Sequence, residues 1–385
     1  MLKKFEVRNY KGFKDTMVWD LSSTRTYSDY KYLIKNKISK NTIVYGKNAS
    51  GKTSLCAAVM DITYHLLDVE KDPTPAYMYS YIGNNDNTLD FKYVFAFGKT
   101  IVTYVYKEQN TRELLFEQLF VNDCEVVRHD FVNENENFIN LKGAKNLKTN
   151  GLPNRLSVLK YIYNNTIVEE NSVIYNLFKF VSGMLYFRSL RETNQYIGYK
   201  LGGDSLDNII LKNNKLEEFQ SFLNDMELDY KLFPLRLSSG NTVIGAKFEN
   251  GMILPFGDIS SSGTRVLMLF YCWLLEFKNL TFLIIDEFDA YYHHEVAKKV
   301  LHIINNFDNL QSMVTTHNVT LLNTDVTRPD CAYIIDKNGV INLCNRIDKD
   351  IRKNHNIEKM YREGEFNNYI KKGGETNGNN KLVWW

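Results

Sequence analysis

Residues 41 to 55 join a hydrophobic run to a glycine-containing loop that carries one lysine and one threonine next to each other. The segment reads NTIVYGKNASGKTSL. Its loop fits the pattern G-x-x-x-x-G-K-[S/T] at each fixed position and consists of Gly46, Lys47, Asn48, Ala49, Ser50, Gly51, Lys52 and Thr53. Loops of this type bind phosphate with inward-pointing backbone N–H groups and the N-terminus of the following helix. The pattern predicts that Lys52 contacts the β and γ phosphates of a nucleotide and that Thr53 binds Mg²⁺.

The flanks of this loop favour a phosphate-binding turn over an ordinary glycine turn. Residues 42 to 45 form a β-like run, and the spacing of residues 54 to 67 is helical. A strand before the loop and a helix after it are the context that the motif requires. Ser54, the first residue of the predicted helix, is therefore counted with the nucleotide-binding loop.

The second element of the predicted site is acidic and lies far downstream, in the segment LTFLIIDEFDA. The apolar residues 280 to 285 predict a strand that runs directly into Asp286 and Glu287. In phosphate-loop folds such a strand is expected beside the strand of the cradle, where its terminal carboxylate can hold Mg²⁺. We therefore predict that Asp286 binds the metal and that Glu287 is the general base.

The third element is the segment DISSSGTRVLML, where serines and a glycine precede a helical run. Ser261, Ser262 and Gly263 could simply cap this helix, but the same arrangement also binds anions. Asp289 follows the acidic strand closely, and His317 comes after another apolar strand. A histidine in that place is usually structural, yet here it completes an ordered series of motifs.

Composition restricts the class of protein. The chain has 385 residues, 44% of them hydrophobic, and its net charge is +2. No apolar run approaches the roughly 20 residues of a membrane helix, and the first residues lack the apolar centre of a signal peptide. Five scattered cysteines without a C-x-x-C pair argue against a disulfide framework or a zinc site. We expect a soluble, cytoplasmic protein.

The coarse pattern predicts strands first and helices later. Residues 2 to 9 alternate as a strand, and residues 90 to 122 predict three antiparallel strands with turns near Gly98 and Asn110. From 152 to 232 the apolar spacing is helical, and the segment IYNLFKFVSGMLYF is among the clearer cases. A hairpin with its turn at residues 249 to 251 follows.

Taken in order, these motifs resemble the ATP-binding cassette type of ATPase head in Rad50, RecF and the overcoming-lysogenization-defect proteins, within the AAA family. The segments FEVRNYKGFKD, YGKNASGKTSL, SSSGTRVL, IIDEFDAYYHH, VTTHNVTLL and NHNIEKMYREGEF are similar to stand-alone ATPase subunits of bacterial anti-phage systems. The RloA-type, Septu and PARIS ATPases are examples. The resemblance covers about residues 1 to 370.

The resemblance implies an α/β fold with a mixed core sheet, an N-terminal antiparallel meander and an inserted helical lobe. Residues 1 to 150 and 276 to 345 would form the two parts of the ATP-binding core. Residues 151 to 275 would form the lobe with the signature, and residues 346 to 385 a C-terminal helix and tail. Two copies would enclose ATP, each cradle being capped in trans by Ser261, Ser262 and Gly263. His317 would contact the γ phosphate in cis, and Asp289 would belong to the nucleotide site.

Some assignments stay open at this stage. Arg8 and the turn near Lys11 are candidates for contacts with the nucleotide, and the lid glutamine could be Gln118 or Gln195. The terminal Trp384 and Trp385 could dock on the fold or bind a partner.

The expected function is that of an ATPase subunit in an anti-phage, abortive-infection complex, with ATP and Mg²⁺ as cofactors. It would dimerise, or form a higher homo-oligomer, and control a separate effector, a nuclease. The alternative is a DNA-repair clamp of the RecF or Rad50 kind, which would also be an ATP-gated head without long coiled coils. Residues 1 to 52 hold twelve Lys or Arg against four Asp or Glu, which makes nucleic acid a candidate partner, although solvated lysines are the commoner explanation of such a segment.

Overall fold

A computed structural model describes most of the chain. The described residues are 1–23, 25–67, 79–188, 196–198, 205–337, 339–347, 349–352 and 355–367. Its strands are β1 (Leu2–Arg8), β2 (Met17–Asp20), β3 (Ile34–Lys35), β4 (Ile38–Ser39), β5 (Asn41–Tyr45), β6 (Thr88–Phe97), β7 (Thr100–Gln109), β8 (Leu114–Val121), β9 (Cys124–Asp130), β10 (Phe138–Ile139), β11 (Met184–Arg188), β12 (Tyr196–Gly198), β13 (Lys231–Arg236), β14 (Thr242–Lys247), β15 (Ile253–Pro255), β16 (Phe282–Asp286), β17 (Gln311–Thr316), β18 (Ala332–Asp336) and β19 (Gly339–Asn342). Its α-helices are α1 (Lys52–Leu66), α2 (Val158–Asn165), α3 (Val173–Ser182), α4 (Leu206–Lys212), α5 (Leu216–Asp225), α6 (Phe256–Ile259), α7 (Ser262–Leu274), α8 (His294–Asn305) and α9 (Ile357–Arg362).

The N-terminal part forms an antiparallel sheet in the order β10-β9-β8-β7-β6-β1-β2. Side chains of β6 alternate between buried and half-buried positions, as expected of a strand that covers a core with one face. The predicted meander is confirmed, because β6, β7 and β8 pair in sequence. The turn between β6 and β7 contains Gly98, whose φ of 62° suits glycine.

The core sheet is mixed, in the order β12-β11-β16-β17-β5-β18-β19. Its five central strands are parallel, and β12 and β19 are antiparallel to their neighbours. Strand β17 lies between β5 and β16, so the prediction that the acidic strand adjoins the cradle strand is wrong. Asp286, Thr316 and Tyr45 nevertheless end their strands at the same edge of the sheet.

Strand β11 corrects a second prediction. The helical spacing of IYNLFKFVSGMLYF indicates a helix through Phe187, but helix α3 ends at Ser182 and residues 184 to 188 pair in parallel with β16. A parallel strand buried on both faces has no alternation, so its apolar run cannot be told from a helix. Gly183 lies between the helix and the strand, and a Cβ there would lie 2.7 Å from Thr281 Oγ1, so the close packing favours glycine. The core sheet therefore includes a strand from within residues 151 to 275, and the predicted domain boundaries stay a prediction.

Helices α2 and α3 of that segment pack on the side of α1, whereas residues 205 to 275 form a lobe that precedes the acidic strand in the sequence. The three-stranded sheet β13-β14-β15 packs with α4, α5 and α6, and α7 contacts α4 and α5. The predicted hairpin is confirmed: β14 and β15 are antiparallel, and Gly251 has a φ of 82° in the turn between them. The start of α7 lies at the surface of this lobe.

Two hydrophobic clusters make the core sheet the middle layer of the molecule. Ile284 belongs to the cluster that holds α1 and the antiparallel sheet. Its neighbours Leu283 and Ile285 belong to the cluster under α7 and α8. The α/β architecture predicted from the sequence is confirmed. Among the described residues, no helix combines the length and hydrophobicity needed to cross a bilayer.

Candidate functional site

The glycine loop connects β5 to α1 and depends on both of its glycines. A Cβ on Gly46 would collide with Ser50 Oγ and lie 2.6 Å from Ile335 Cγ2. Gly51 has a φ of 100° at the N-cap of α1, and a Cβ there would lie 3.2 Å from the ring of Phe13. The loop is thus packed against β18 on one side and the turn between β1 and β2 on the other, and only glycine fits at these two positions.

Lys52 is held inside the loop although its side chain is charged. The residue is 5% exposed, and Nζ donates to the carbonyl oxygens of Gly46 at 2.9 Å and Lys47 at 3.0 Å. The same ammonium lies 3.2 Å from Nδ1 of His317. Burial lowers the pKa of Lys52, and nearby carboxylates, first Asp286, oppose this shift. The lysine therefore points into the loop, where a bound anion would stabilise its positive charge.

The predicted metal ligands contact each other. Thr53 Oγ1 donates to Oδ2 of Asp286 at 2.7 Å, and Asp286 is only 2% exposed. The two residues are more than two hundred positions apart in the sequence, and the structure brings them together at the ends of β16 and the loop. A hydroxyl and a carboxylate oxygen side by side are the ligand types that Mg²⁺ prefers.

Glu287 and His317 lie at the mouth of this arrangement. Glu287 Oε1 is 3.5 Å from Nε2 of His317, and both side chains remain partly exposed. Glu287 has a φ of 52°, a left-handed conformation that is uncommon for a residue with a side chain and often marks a functional site.

Asp289 is placed differently from the other acidic residues. Its Oδ1 accepts a hydrogen bond from Thr316 Oγ1 at 2.7 Å, and the same hydroxyl accepts from the backbone N–H of Asn318 at 2.8 Å. Asp289 thus ties the loop after β16 to the end of β17. It is not among the described residues that line the cavity at the glycine loop.

The glycine loop, Glu287 and His317 border a cavity of about 360 Å³. It is lined by Gly12, Asn48, Ala49, Ser50, Gly51, Lys52, Thr53, Ser54, Glu287 and His317. Within the described part of the chain, the buried Oγ of Ser50 has no hydrogen-bond partner. A lysine and backbone amides at the start of a helix suit a polyphosphate, so the donor set fits a nucleotide with its cation.

The signature residues lie elsewhere. Ser261 caps α7 by accepting a hydrogen bond from the backbone N–H of Thr264 at 3.2 Å, so the capping role weighed from the sequence is present. Ser261 and Ser262 are exposed, and a Cβ on Gly263 would lie 2.7 Å from the carbonyl oxygen of Tyr291. In the described structure none of the three lines the cavity of its own chain.

The two N-terminal candidates for contact with the nucleotide, Arg8 and the turn near Lys11, are placed differently. Arg8 pairs with Asp86 at 3.1 Å and with Asp90 on the antiparallel sheet, away from the residues that line the cavity. Lys11 Nζ lies 5.8 Å from the centre of the Tyr79 ring. The turn that contains Lys11 does reach the cavity, through Gly12.

Neither lid glutamine can be assigned from the structure. The side-chain amide of Gln118 donates to Glu125 at 2.6 Å, and Gln118 is not among the described residues that line the cavity. Gln195 lies outside the described residues, as do Trp384 and Trp385.

Two residues of the site were missed by the sequence interpretation. Thr315 Oγ1 donates to Oδ1 of Asp286 at 2.6 Å, and Thr316 makes the bond to Asp289 given above. Threonines are common in strands, so two of them before a histidine give no distinct signal.

The glycine loop lies between a buried parallel strand and a helix, and a lysine, a threonine and two carboxylates meet at the same sheet edge. This arrangement defines the phosphate-loop class of nucleoside-triphosphate-binding domains. Residues 42–323 match the family described as "AAA domain, putative AbiEii toxin, Type IV TA system", and the chain belongs to this family. The resemblance stated from the motifs is confirmed at the level of an AAA-type ATPase domain. The narrower likeness to subunits of anti-phage systems stays a prediction.

Other comparisons give distant likenesses. The chain is similar to the SMC head domain from Thermotoga maritima, with 16% identity over 86% of this chain and 94% of that chain and a TM-score of 0.43. It is also similar to the Smc head domain from Pyrococcus furiosus, solved with an extended coiled coil and bound to the C-terminal domain of ScpA. That match has 11% identity, covers 88% of this chain and 94% of that chain, and has a TM-score of 0.44. No curated protein was found to match the sequence.

Proposed function

We propose that this chain is an ATP-hydrolysing subunit of a cytoplasmic anti-phage complex. In this proposal two copies close around ATP and so control a separate effector, a nuclease. The observation that carries the ATPase part is the contact of Thr53 with Asp286 at 2.7 Å beside the buried Lys52. It joins the two halves of a nucleotide site from distant parts of the sequence.

The residues of the cavity have separate tasks in the proposed reaction. Lys52 and the loop amides hold the phosphates, and Thr53 and Asp286 hold the cation. Mg²⁺, when bound, neutralises negative charge on the phosphates. Glu287 accepts the proton of the attacking water, and His317, 3.5 Å from that carboxylate, contacts the γ phosphate bound in the same chain.

Dimerisation enters the proposal because the signature residues are exposed. Ser261 and Ser262 stand at the N-terminus of α7, where helix dipole and backbone N–H groups attract anions. ATP can shift a dimerisation equilibrium only through contacts that exist in the closed state and not in the open one. Contacts of these serines with the phosphates held by a second copy would supply that difference.

The defence role rests on the family and on the motif resemblance. The family description names a putative toxin and a type IV toxin–antitoxin system, which fits a subunit that governs a toxic activity. Part of the basic N-terminal segment that bears on the alternative DNA clamp is used in contacts within the chain. Arg25 pairs with Asp350, and Lys40 is buried with its ammonium on the backbone carbonyl of Asn305.

A phosphate-release assay with purified protein, ATP and Mg²⁺ tests the ATPase part. We expect slow turnover that depends on Mg²⁺ and is unchanged by added DNA. Absence of turnover and of ATP binding would refute the ATPase part. DNA-stimulated turnover that falls steeply with salt would instead support the clamp.

The defence part needs a partner. Co-expression with the product of the adjacent gene, followed by affinity purification, should recover a stable complex with a nuclease. Recovery of the ATPase alone, together with unchanged phage plating in cells that carry both genes, would contradict it.

A further inference from the structure

Thr315 lies at the centre of the acidic end of the site without lining the cavity. It is fully buried on β17, between the cradle strand β5 and the acidic strand β16. Its Oγ1 donates to Oδ1 of Asp286 at 2.6 Å and accepts the backbone N–H of Glu287 at 2.8 Å. We infer that Thr315 is the positioning residue for both carboxylates, an inference that rests on the proposed ATPase function.

The first contact fixes the plane of the Asp286 carboxylate. Oδ2 is held by Thr53 and Oδ1 by Thr315, so both oxygens have a hydroxyl donor from a different element. If a cation draws Thr53 away from Oδ2, the bond from Thr315 still prevents the carboxylate from rotating. Groups that orient a metal ligand in this way commonly change metal affinity or activity by about 10- to 100-fold when removed.

The second contact fixes the backbone of Glu287. This residue has a φ of 52°, which a glutamate adopts only when its surroundings hold it there. The Thr315 hydroxyl accepts its N–H, and the Thr315 carbonyl accepts the N–H of Phe288 at 2.9 Å. Only the first of these two bonds depends on the side chain, so a substitution can remove it and leave the strand attachment in place.

The neighbouring threonine makes the arrangement more specific. Thr316 Oγ1 bonds Asp289 and the backbone of Asn318, and it reaches neither Asp286 nor Glu287 in any described contact. The two hydroxyls therefore contact different residues at and after the end of β16. Thr315 serves Asp286 and Glu287, which are the residues proposed to act on the cation and on water.

The test compares three variants of the full chain. Thr315→Val keeps the β-branched shape and removes the hydroxyl, whereas Thr315→Ser keeps the hydroxyl. Thr42→Val is the matched control, because Thr42 is buried in the adjacent strand and its hydroxyl donates only to the carbonyl oxygen of Ser312, at 3.0 Å. Each is assayed for kcat and KM with ATP, for Mn²⁺ binding by electron paramagnetic resonance with a non-hydrolysable ATP analogue, and for thermal unfolding.

We expect Thr315→Val to lower kcat and Mn²⁺ affinity by about 10- to 100-fold and to raise the KM for metal-bound ATP, while affinity for the analogue measured without a cation changes less than about threefold. Thr315→Ser and Thr42→Val should stay near the wild type. If Thr315→Val does not fold, Thr315→Ser decides: kcat and Mn²⁺ affinity near wild type support the inference, and loss of both overturns it.

Equal kcat and Mn²⁺ affinity in Thr315→Val and the wild type would also overturn the inference while leaving the ATPase proposal intact. A wild type that neither hydrolyses ATP nor binds Mn²⁺ with the analogue would overturn the proposed function itself, and the inference with it.

Discussion

The phosphate-loop end and the signature end of the molecule differ in how far one chain completes them. At the loop end, Lys52 and Asp286 already have partners within the same chain. At the signature end, Ser261 and Ser262 are exposed at the start of a helix, and only the first has a capping bond.

If two copies close around ATP as proposed, this difference would divide the work between them. Positions that must hold phosphate and cation are buried and preorganised, which lowers the cost of ordering them on binding. Positions that would act across an interface must stay accessible until the partner arrives. The contrast predicts that mutations at the loop end change ATP binding or hydrolysis, whereas mutations at the signature end change dimerisation.

Glu287→Gln is expected to have the largest effect. Glutamine has nearly the shape of glutamate but cannot accept the proton, and loss of a general base typically lowers turnover by about 10²- to 10⁴-fold. ATP binding should persist, so the variant should collect as a dimer when ATP and Mg²⁺ are added. Steady-state hydrolysis and size-exclusion chromatography measure the two effects. Glu249→Gln, in the exposed turn before β15, should behave like the wild type.

Lys52→Ala should abolish the function of the loop end at the binding step. Removal of a charge-assisted contact to phosphate is expected to weaken ATP binding by about 100-fold. Isothermal titration calorimetry checks this, with Lys99→Ala in the exposed turn between β6 and β7 as control. Unaltered affinity in Lys52→Ala would refute the assignment of the cradle.

Ser262→Arg addresses the signature end. The exposed position tolerates a long side chain in the free monomer, so ATP affinity should change by less than about threefold. ATP-dependent dimerisation should be lost, because the bulky side chain blocks close approach of a second copy. Ser239→Arg, in the turn between β13 and β14 of the same lobe, should dimerise normally. Retained dimerisation in Ser262→Arg would separate the signature from the interface.

Ser261→Ala is expected to have the smallest effect. It removes an N-cap, which typically costs about 1 kcal/mol of unfolding free energy. Urea denaturation followed by circular dichroism measures this, and ATP affinity of the monomer should not change. An unchanged unfolding midpoint would mean that the contact with the Thr264 N–H contributes nothing to stability.

Much of the loop end could be predicted from the sequence because its signals are local. Lys52 and Thr53 occupy fixed positions in one short motif, and Asp286 ends an apolar strand. The position of β17 between β5 and β16 could not be predicted, since strand order depends on long-range packing. Met184 to Phe187 were predicted as helix because a fully buried strand lacks alternation.

The contacts of Thr315 and Thr316 could not be predicted for the same reason. Nothing in the residues Thr315 and Thr316 indicates which hydroxyl faces Asp286, because this depends on the register between β16 and β17. At the signature end, the sequence left two roles open for Ser261. The structure assigns the capping role, and the role toward a second copy stays a prediction.

The most direct measurement is a structure of Glu287→Gln with ATP and Mg²⁺. We predict a dimer in which each nucleotide lies in the loop of one copy, against Lys52 and Thr53, and contacts Ser262 and Gly263 of the other. A nucleotide bound with the start of α7 still facing solvent, or bound away from the loop, would contradict this account.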